Sequence, residues 1–221
     1  MKKVYGIGVG PGGTDLITLR GYKLIRDADV VFLPRHKGKS MAGQITRKFI
    51  WDKKTVYIDF PMKKTSSKIY KEAARIIDSN LPDGSVGVFL TIGDPMIYST
   101  FSYALAELEA LDIETESVPG IPSFSAAANR TNMPVTLRGQ EFYLTDGEID
   151  EKVLERCDSV CILKTSGNKE DILNLLENSG FTYMYISRCG WPDERILYKR
   201  EEILKSHEYM SLIFGRRVKN D

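Results

Sequence analysis

The chain is poor in the residues that metal and covalent chemistry depend on. It has two histidines, His36 and His207, in unrelated contexts, and three cysteines, Cys157, Cys161 and Cys189. Cys157 and Cys161 stand four apart and would need ligands from distant segments to hold zinc, so no protein-bound metal is expected and the thiols read as small buried side chains. An odd cysteine count with no secretory pattern argues for free thiols in the reducing cytoplasm. No apolar run approaches the roughly 18 to 20 residues that span a bilayer, so no membrane segment is expected. Charge of one sign is also missing. Thirty-one Lys and Arg against 30 Asp and Glu leave a net charge of +1, which supplies no general field for nucleic acid. There is no internal repeat, low-complexity tract, nucleophile elbow or catalytic dyad.

What is present suits a soluble α/β protein. The 221 residues, 42% hydrophobic and 28% charged, can fill the cores of two compact lobes. Short apolar runs at 4–9, 30–33, 56–60, 86–91 and 113–118 alternate with helical patterns at 19–28, 41–49, 67–80 and 100–111, the order of parallel strands joined by helices. A short Ala-rich helix is expected at 123–129. The stretch 133–139, with Pro134 and Gly139, lacks periodicity and is the expected interdomain connection, giving domains 1–135 and 136–221. Strands at 141–144, 160–163, 183–188, 195–199 and 210–214, with helices at 150–156 and 168–178, make up the second half.

Three loops carry the chemical interest. Gly6-Ile7-Gly8-Val9-Gly10-Pro11-Gly12-Gly13 matches the dinucleotide fingerprint through Gly8, Gly10 and Gly13. Pro11 removes a backbone donor that a pyrophosphate would use, and the second strand ends in Leu33-Pro34-Arg35 without an acid for a ribose, so a nicotinamide site is not expected. Gly93-Asp94-Pro95 follows a buried strand at the carboxyl edge where open α/β sheets bind ligands, although the tripeptide is also an ordinary turn. Val118-Pro119-Gly120-Ile121-Pro122-Ser123 repeats the pattern after the next strand. Basic residues gather past strand ends: Arg35, Lys37 and Lys39; Lys63 and Lys64; Arg216 and Arg217. A solvated surface is the alternative reading of each.

A glycine-rich first loop, a Gly-Asp-Pro loop and a Val-Pro-Gly loop, in this order and over nearly the whole chain, resemble the tetrapyrrole methylases. The stretch Thr91-Ile92-Gly93-Asp94-Pro95-Met96-Ile97-Tyr98-Ser99-Thr100-Phe101-Ser102-Tyr103 looks like the branch acting on precorrin-2 at ring carbon 20, as do Asp59-Phe60-Pro61-Met62, Leu33-Pro34-Arg35 and 119–128. Gly13-Thr14 departs from the Asp-Pro common in the family. The resemblance implies two α/β lobes with S-adenosyl-L-methionine between them, a small-molecule tetrapyrrole substrate and a homodimer. Position by position it implies cofactor contacts at Pro11, Ile92, Gly93, Asp94, Ile97, Ser99 and Thr100, with Pro122, Ser123, Lys164, Cys189 and Gly190. Gly10, Arg35 and Tyr98 are the expected substrate contacts. Asp94 and Tyr98 are the candidate catalytic residues, Asp94 fixing the cofactor and Tyr98 orienting the substrate or relaying its proton. Diphthine synthases and a ribosomal RNA methylase share the architecture but differ in these loops; a non-catalytic binding module would keep the loops for shape alone.

Overall fold

The structure, a computed structural model, describes residues 1–61, 66–165 and 167–218, so Lys63 and Lys64 lie outside the described residues. The chain divides into two compact units, Met1–Pro122 and Ser123–Asp221.

The first unit holds five parallel strands: β1 (Lys3–Gly8), β2 (Val30–Arg35), β3 (Lys54–Asp59), β4 (Val86–Thr91) and β5 (Glu114–Val118). Their order across the sheet is β3-β2-β4-β1-β5. Four helices connect them: α1 (Leu19–Asp27), α2 (Met41–Thr46), α3 (Ser67–Asn80) and α4 (Thr100–Glu109). Alternation along the strands sorts the helices onto two faces. Val4, Val30, Phe32 and Phe89 share one core with Ala73, Ala74 and Ile77 of α3 and Phe101, Ala104 and Leu108 of α4. On the other face Ile7 packs against Gly21 of α1 and Leu33 against Gly43 of α2. The strand β4, buried on both faces, is accordingly apolar almost throughout. The expected α/β class is therefore found. The adjacent strands β1 and β4 send their helices to opposite faces, so their carboxyl ends flank the topological switch point of the sheet, the place where open α/β sheets leave a crevice.

The second unit starts with α5 (Ser123–Thr131) and contains β6 (Phe142–Thr145), α6 (Glu151–Arg156), β7 (Ser159–Leu163), α7 (Lys169–Asn178), β8 (Phe181–Ser187), β9 (Arg195–Leu197), α8 (Arg200–Lys205) and β10 (Ser211–Arg217). Its sheet is mixed, in the order β6-β7-β10-β8-β9, with β10 antiparallel to both neighbours. Leu154, Ile172, Leu173, Leu176 and Ile203 bring α6, α7 and α8 onto one face. Phe124 of α5 meets Phe142, which meets Phe214, on the sheet. The units thus part before α5, not at 133–139. That stretch is tied to the second sheet, because Arg216 of β10 donates to Pro134 O and to Gln140 Oε1. Arg217 likewise braces the fold. Its guanidinium donates to the carbonyls of Leu154, Glu155 and Ser179 and packs on Phe181. Both arginines lie inside β10 and serve as ties within the second unit.

Candidate active site

At the switch point the loops after β1 and β4 are joined backbone to backbone. Val9 N donates to Thr91 O at 2.9 Å, Gly93 N to Gly10 O at 2.9 Å and Gly10 N to Gly93 O at 3.3 Å, the last two forming an isolated antiparallel bridge. Gly10 and Gly93 take φ of +75° and +69°, a region that glycine enters without strain. Gly8 and Gly120 approach each other so closely that a Cβ on Gly8 would lie 2.7 Å from Gly120 N, and one on Gly120 would lie 2.6 Å from Gly8 Cα. No side chain fits there.

Asp94 closes the knot. One carboxylate oxygen accepts from Met96 N at 2.8 Å and the other from Gly120 N at 3.0 Å. Its main role in the fold is to clamp the β5 loop to the β4 loop, a contact between residues 26 positions apart. Ser99 is turned inward. It is buried, caps α4 by accepting from Phe101 N at 3.2 Å, and meets Thr91 Oγ1 at 3.1 Å. The Ser-Thr pair before an Ala-Leu run is a helix-start signal that identifies this cap from sequence. Between Asp94 and Ser99 the chain turns outward, leaving Met96 55% and Tyr98 44% exposed. Tyr98 holds φ of +46°, an unfavourable region for a bulky residue and a common mark of functional loops.

Gly10, Pro11, Ile92, Gly93, Asp94, Ile97, Tyr98, Ser99, Thr100 and Pro122 therefore follow the carboxyl ends of three adjacent strands of one sheet. Arg35 ends β2, beside β4, and forms a two-pronged pair with Asp59, Nε to Oδ1 and Nη2 to Oδ2, both at 2.8 Å. The pairing raises the Arg35 pKa and holds the Asp59 carboxyl below the usual range. Arg35 thus meets any anion as half of an ion pair.

The other expected contacts belong to the second unit. Ser123 opens α5. Lys164 follows β7 with φ of +58° and pairs with Asp146 at 3.0 Å. Cys189 and Gly190 follow β8. Because β7 and β8 both run antiparallel to the strand between them, their carboxyl ends share one edge. Burial, and then the neighbouring Glu194 carboxylate, push the Cys189 thiol up to about 12, which favours the protonated thiol at neutral pH. No group of three or more His, Cys, Asp or Glu able to hold a metal ion occurs among the described residues.

Comparison with known proteins agrees with this arrangement. The family model for Tetrapyrrole (Corrin/Porphyrin) Methylases matches residues 3–204. The chain is 31% identical to a probable cobalt-precorrin-2 C(20)-methyltransferase of Methanocaldococcus jannaschii, covering 99% of this chain and 98% of that protein. It is 29% identical to the cobalt-precorrin-2 C(20)-methyltransferase of Salmonella typhimurium, covering 87% and 86%. Among solved structures, uroporphyrin-III C-methyl transferase from Thermus thermophilus, complexed with S-adenyl homocysteine, superposes with a TM-score of 0.75 at 23% identity over 97% of each chain. The glycine-bridged switch point and a match over most of the length lead to one conclusion: the chain belongs to the tetrapyrrole (corrin/porphyrin) methylases and is a methyltransferase of that family.

Proposed function

We propose that the protein transfers the methyl group of S-adenosyl-L-methionine to ring carbon 20 of precorrin-2, or of its cobalt complex, in cobalamin biosynthesis. The observation that carries the proposal is the knot of three loops at the switch point, closed by the Gly10–Gly93 bridge and by Asp94. The residues fit such a ligand. On the side of Gly93 where a Cβ would project, Pro122 Cα at 3.8 Å is the one atom within 4 Å among the described residues beyond its two chain neighbours, so the backbone there is open to a ligand atom. Pro11, Ile92, Ile97 and Pro122 supply apolar surface around it, and Asp94 supplies a carboxylate in a loop that otherwise offers backbone dipoles.

S-adenosylmethionine supplies a methyl already activated on a sulfonium, so the task left to the chain is orientation. The switch-point loops hold the donor; Lys164, Cys189 and Gly190, which the family resemblance implies as further donor contacts, belong to the same proposal. Arg35 faces the carboxylates of the substrate, exchanging part of its pairing with Asp59 for charge-assisted bonds to them. Tyr98, presented outward on its strained turn, orients the ring or relays to water the proton lost from the methylated carbon, accepting it as its own hydroxyl proton leaves. A homodimer belongs to the same proposal and is tested by sedimentation.

The deciding experiment incubates the protein anaerobically with methyl-labelled S-adenosylmethionine and precorrin-2, with and without cobalt, and reads the product by mass and carbon NMR. Label at ring carbon 20 is the expected result, and the faster substrate identifies the metal state. Label at another ring carbon, or none while S-adenosylhomocysteine still binds, overturns the substrate and leaves the family intact.

A further inference from the structure

The segment after β8 is more firmly built than a surface loop requires, and one of the side chains that brace it, Glu194, has no part in the function proposed above. Within three residues Arg188 and Gly190 both take left-handed backbone angles, φ of +52° and +78°. Trp191 N returns to Arg188 O at 2.9 Å and Glu194 N to Trp191 O at 3.0 Å, folding 188–194 back on itself. The Arg188 guanidinium lies over the Trp191 ring at 4.8 Å and its Nε stands 2.6 Å from Asp193 Oδ2, a close charge pair without the in-line geometry of a hydrogen bond. The half-buried Glu194 carboxylate accepts from Gly190 N at 2.6 Å, and the same oxygen lies 3.5 Å from Arg130 Nε on α5. Glu194 therefore fixes the Cys189–Gly190 peptide from within the loop and is itself held by a helix outside it. A carboxylate placed to orient one peptide at a rim is more than packing demands, since water would satisfy an exposed Gly190 N–H equally well.

We propose that Glu194 is a positioning residue, backed by Arg130, that sets the Cys189–Gly190 peptide in the orientation needed to bind the methyl donor. The proposal rests on the reading of Cys189 and Gly190 as donor contacts. It requires no chemistry of Glu194 itself. Removing the carboxylate frees Gly190 N and leaves the two left-handed residues, Arg188 and Gly190, without their brace, so the loss falls on donor affinity and not on the methyl-transfer step.

The test compares wild type with Glu194→Ala, Glu194→Gln and Arg130→Ala in the full chain. Affinity for S-adenosylhomocysteine is measured by calorimetry, KM and kcat by turnover, and Cys189 accessibility by the rate of iodoacetamide labelling read by peptide mass spectrometry. Loss of a hydrogen bond to a charged acceptor predicts roughly tenfold weaker binding for Glu194→Ala, with KM for the donor rising and kcat held. Glu194→Gln, which keeps an oxygen for Gly190 N, recovers most of it, and Arg130→Ala falls between. Faster labelling of Cys189 in Glu194→Ala than in Glu194→Gln, both of which lack the charge that raises the thiol pKa, reports the loosened loop independently of any ligand. Equal labelling of the two uncharged variants overturns the positioning role. Faster labelling with donor affinity unchanged overturns the functional half, and if turnover on the tetrapyrrole persists the proposed function stands without it. If wild type itself binds no S-adenosylhomocysteine, the function assigned above fails and the proposal fails with it, whatever the labelling shows of the loop.

Discussion

Asp94 offers a measurement that separates two roles for one side chain. Replacing it with alanine removes the acceptor for Met96 N and for Gly120 N, at 2.8 and 3.0 Å. A hydrogen bond to a charged group is worth about 1.5–3 kcal/mol when its partners stay dry. Asp94 is half-buried, so water reaches the freed donors, and about 1 kcal/mol for each bond is the appropriate scale. The expected loss is therefore about 2 kcal/mol, or about 4–8 °C in melting temperature for a chain of this size. Asp94→Asn keeps one oxygen and turns an amide group toward the other donor, so it loses about half as much. Far-UV circular dichroism through a urea titration measures the stability change, and calorimetry with S-adenosylhomocysteine measures affinity on the same samples. Loss of stability in the order Ala, Asn, wild type, with affinity falling in step, is the signature of a clamp that shapes the site. A variant that unfolds at the wild-type urea concentration yet no longer binds ligand would refute this reasoning, because the oxygens would then serve the ligand and not the loops.

Gly8→Ala places a Cβ 2.7 Å from Gly120 N, and because the opposing atoms are backbone the loops must part, at about 1–3 kcal/mol or more. Hydrogen exchange at the Gly93 amide, which bonds across to Gly10, should accelerate, and unchanged protection would show that the contact relaxes elsewhere. Lys169 is 5% exposed, donates to Ser206 O and lies over the Tyr185 ring, and burial lowers its pKa. The unfolded chain then holds the proton more firmly than the folded one, so this residue's penalty is full at neutral pH and fades as pH rises from the lowered folded value toward the unfolded value of about 10.4. Lys169→Met should therefore gain most over wild type near pH 7 and lose that advantage toward pH 10, as urea titrations across that range would record; a constant difference would count against a desolvated ammonium. Arg35→Ala should raise the KM for the tetrapyrrole while leaving affinity for S-adenosylhomocysteine and the melting temperature unchanged, since the pair with Asp59 is solvent-screened. The reverse pattern would remove Arg35 from the substrate site.

Much of the fold is legible in the sequence, for reasons that differ by element. Helix α3 and strand β4 carry a clear helical stripe and an unbroken apolar run between Pro82 and Gly93, and both begin and end at the residues the pattern indicates. Helix α8 escapes such reading. It is six residues long, buries Ile203 alone, and its Arg-Glu-Glu start looks like any charged surface turn. The reach of the second unit back to α5 is hidden because α5 meets the sheet through the rings of Phe124, Phe142 and Phe214, and the stretch after it is held at Pro134 by Arg216, contacts with no local signature in the sequence. The loops that form the candidate site are visible as motifs. What Asp94 does within them is less so, because its partner is a distant backbone N–H, whereas the Ser99 cap is read from the helix start. Glu194 is silent in sequence, since nothing local distinguishes it from its acidic neighbour Asp193.

The second sheet has a consequence for how the chain is made. Its central strand, β10, comes later in the sequence than every strand it pairs with or lies among, whereas the first sheet closes within the first 122 residues. During synthesis the first unit can assemble while the rest is still being added, but β7 and β8 must wait with their inner edges open until β10 emerges between them. Unpaired strand edges are sticky, and for that interval the nascent chain is most prone to misassociate. A ribosome stalled shortly before Ser211 would thus hold one finished lobe and one that cannot yet close.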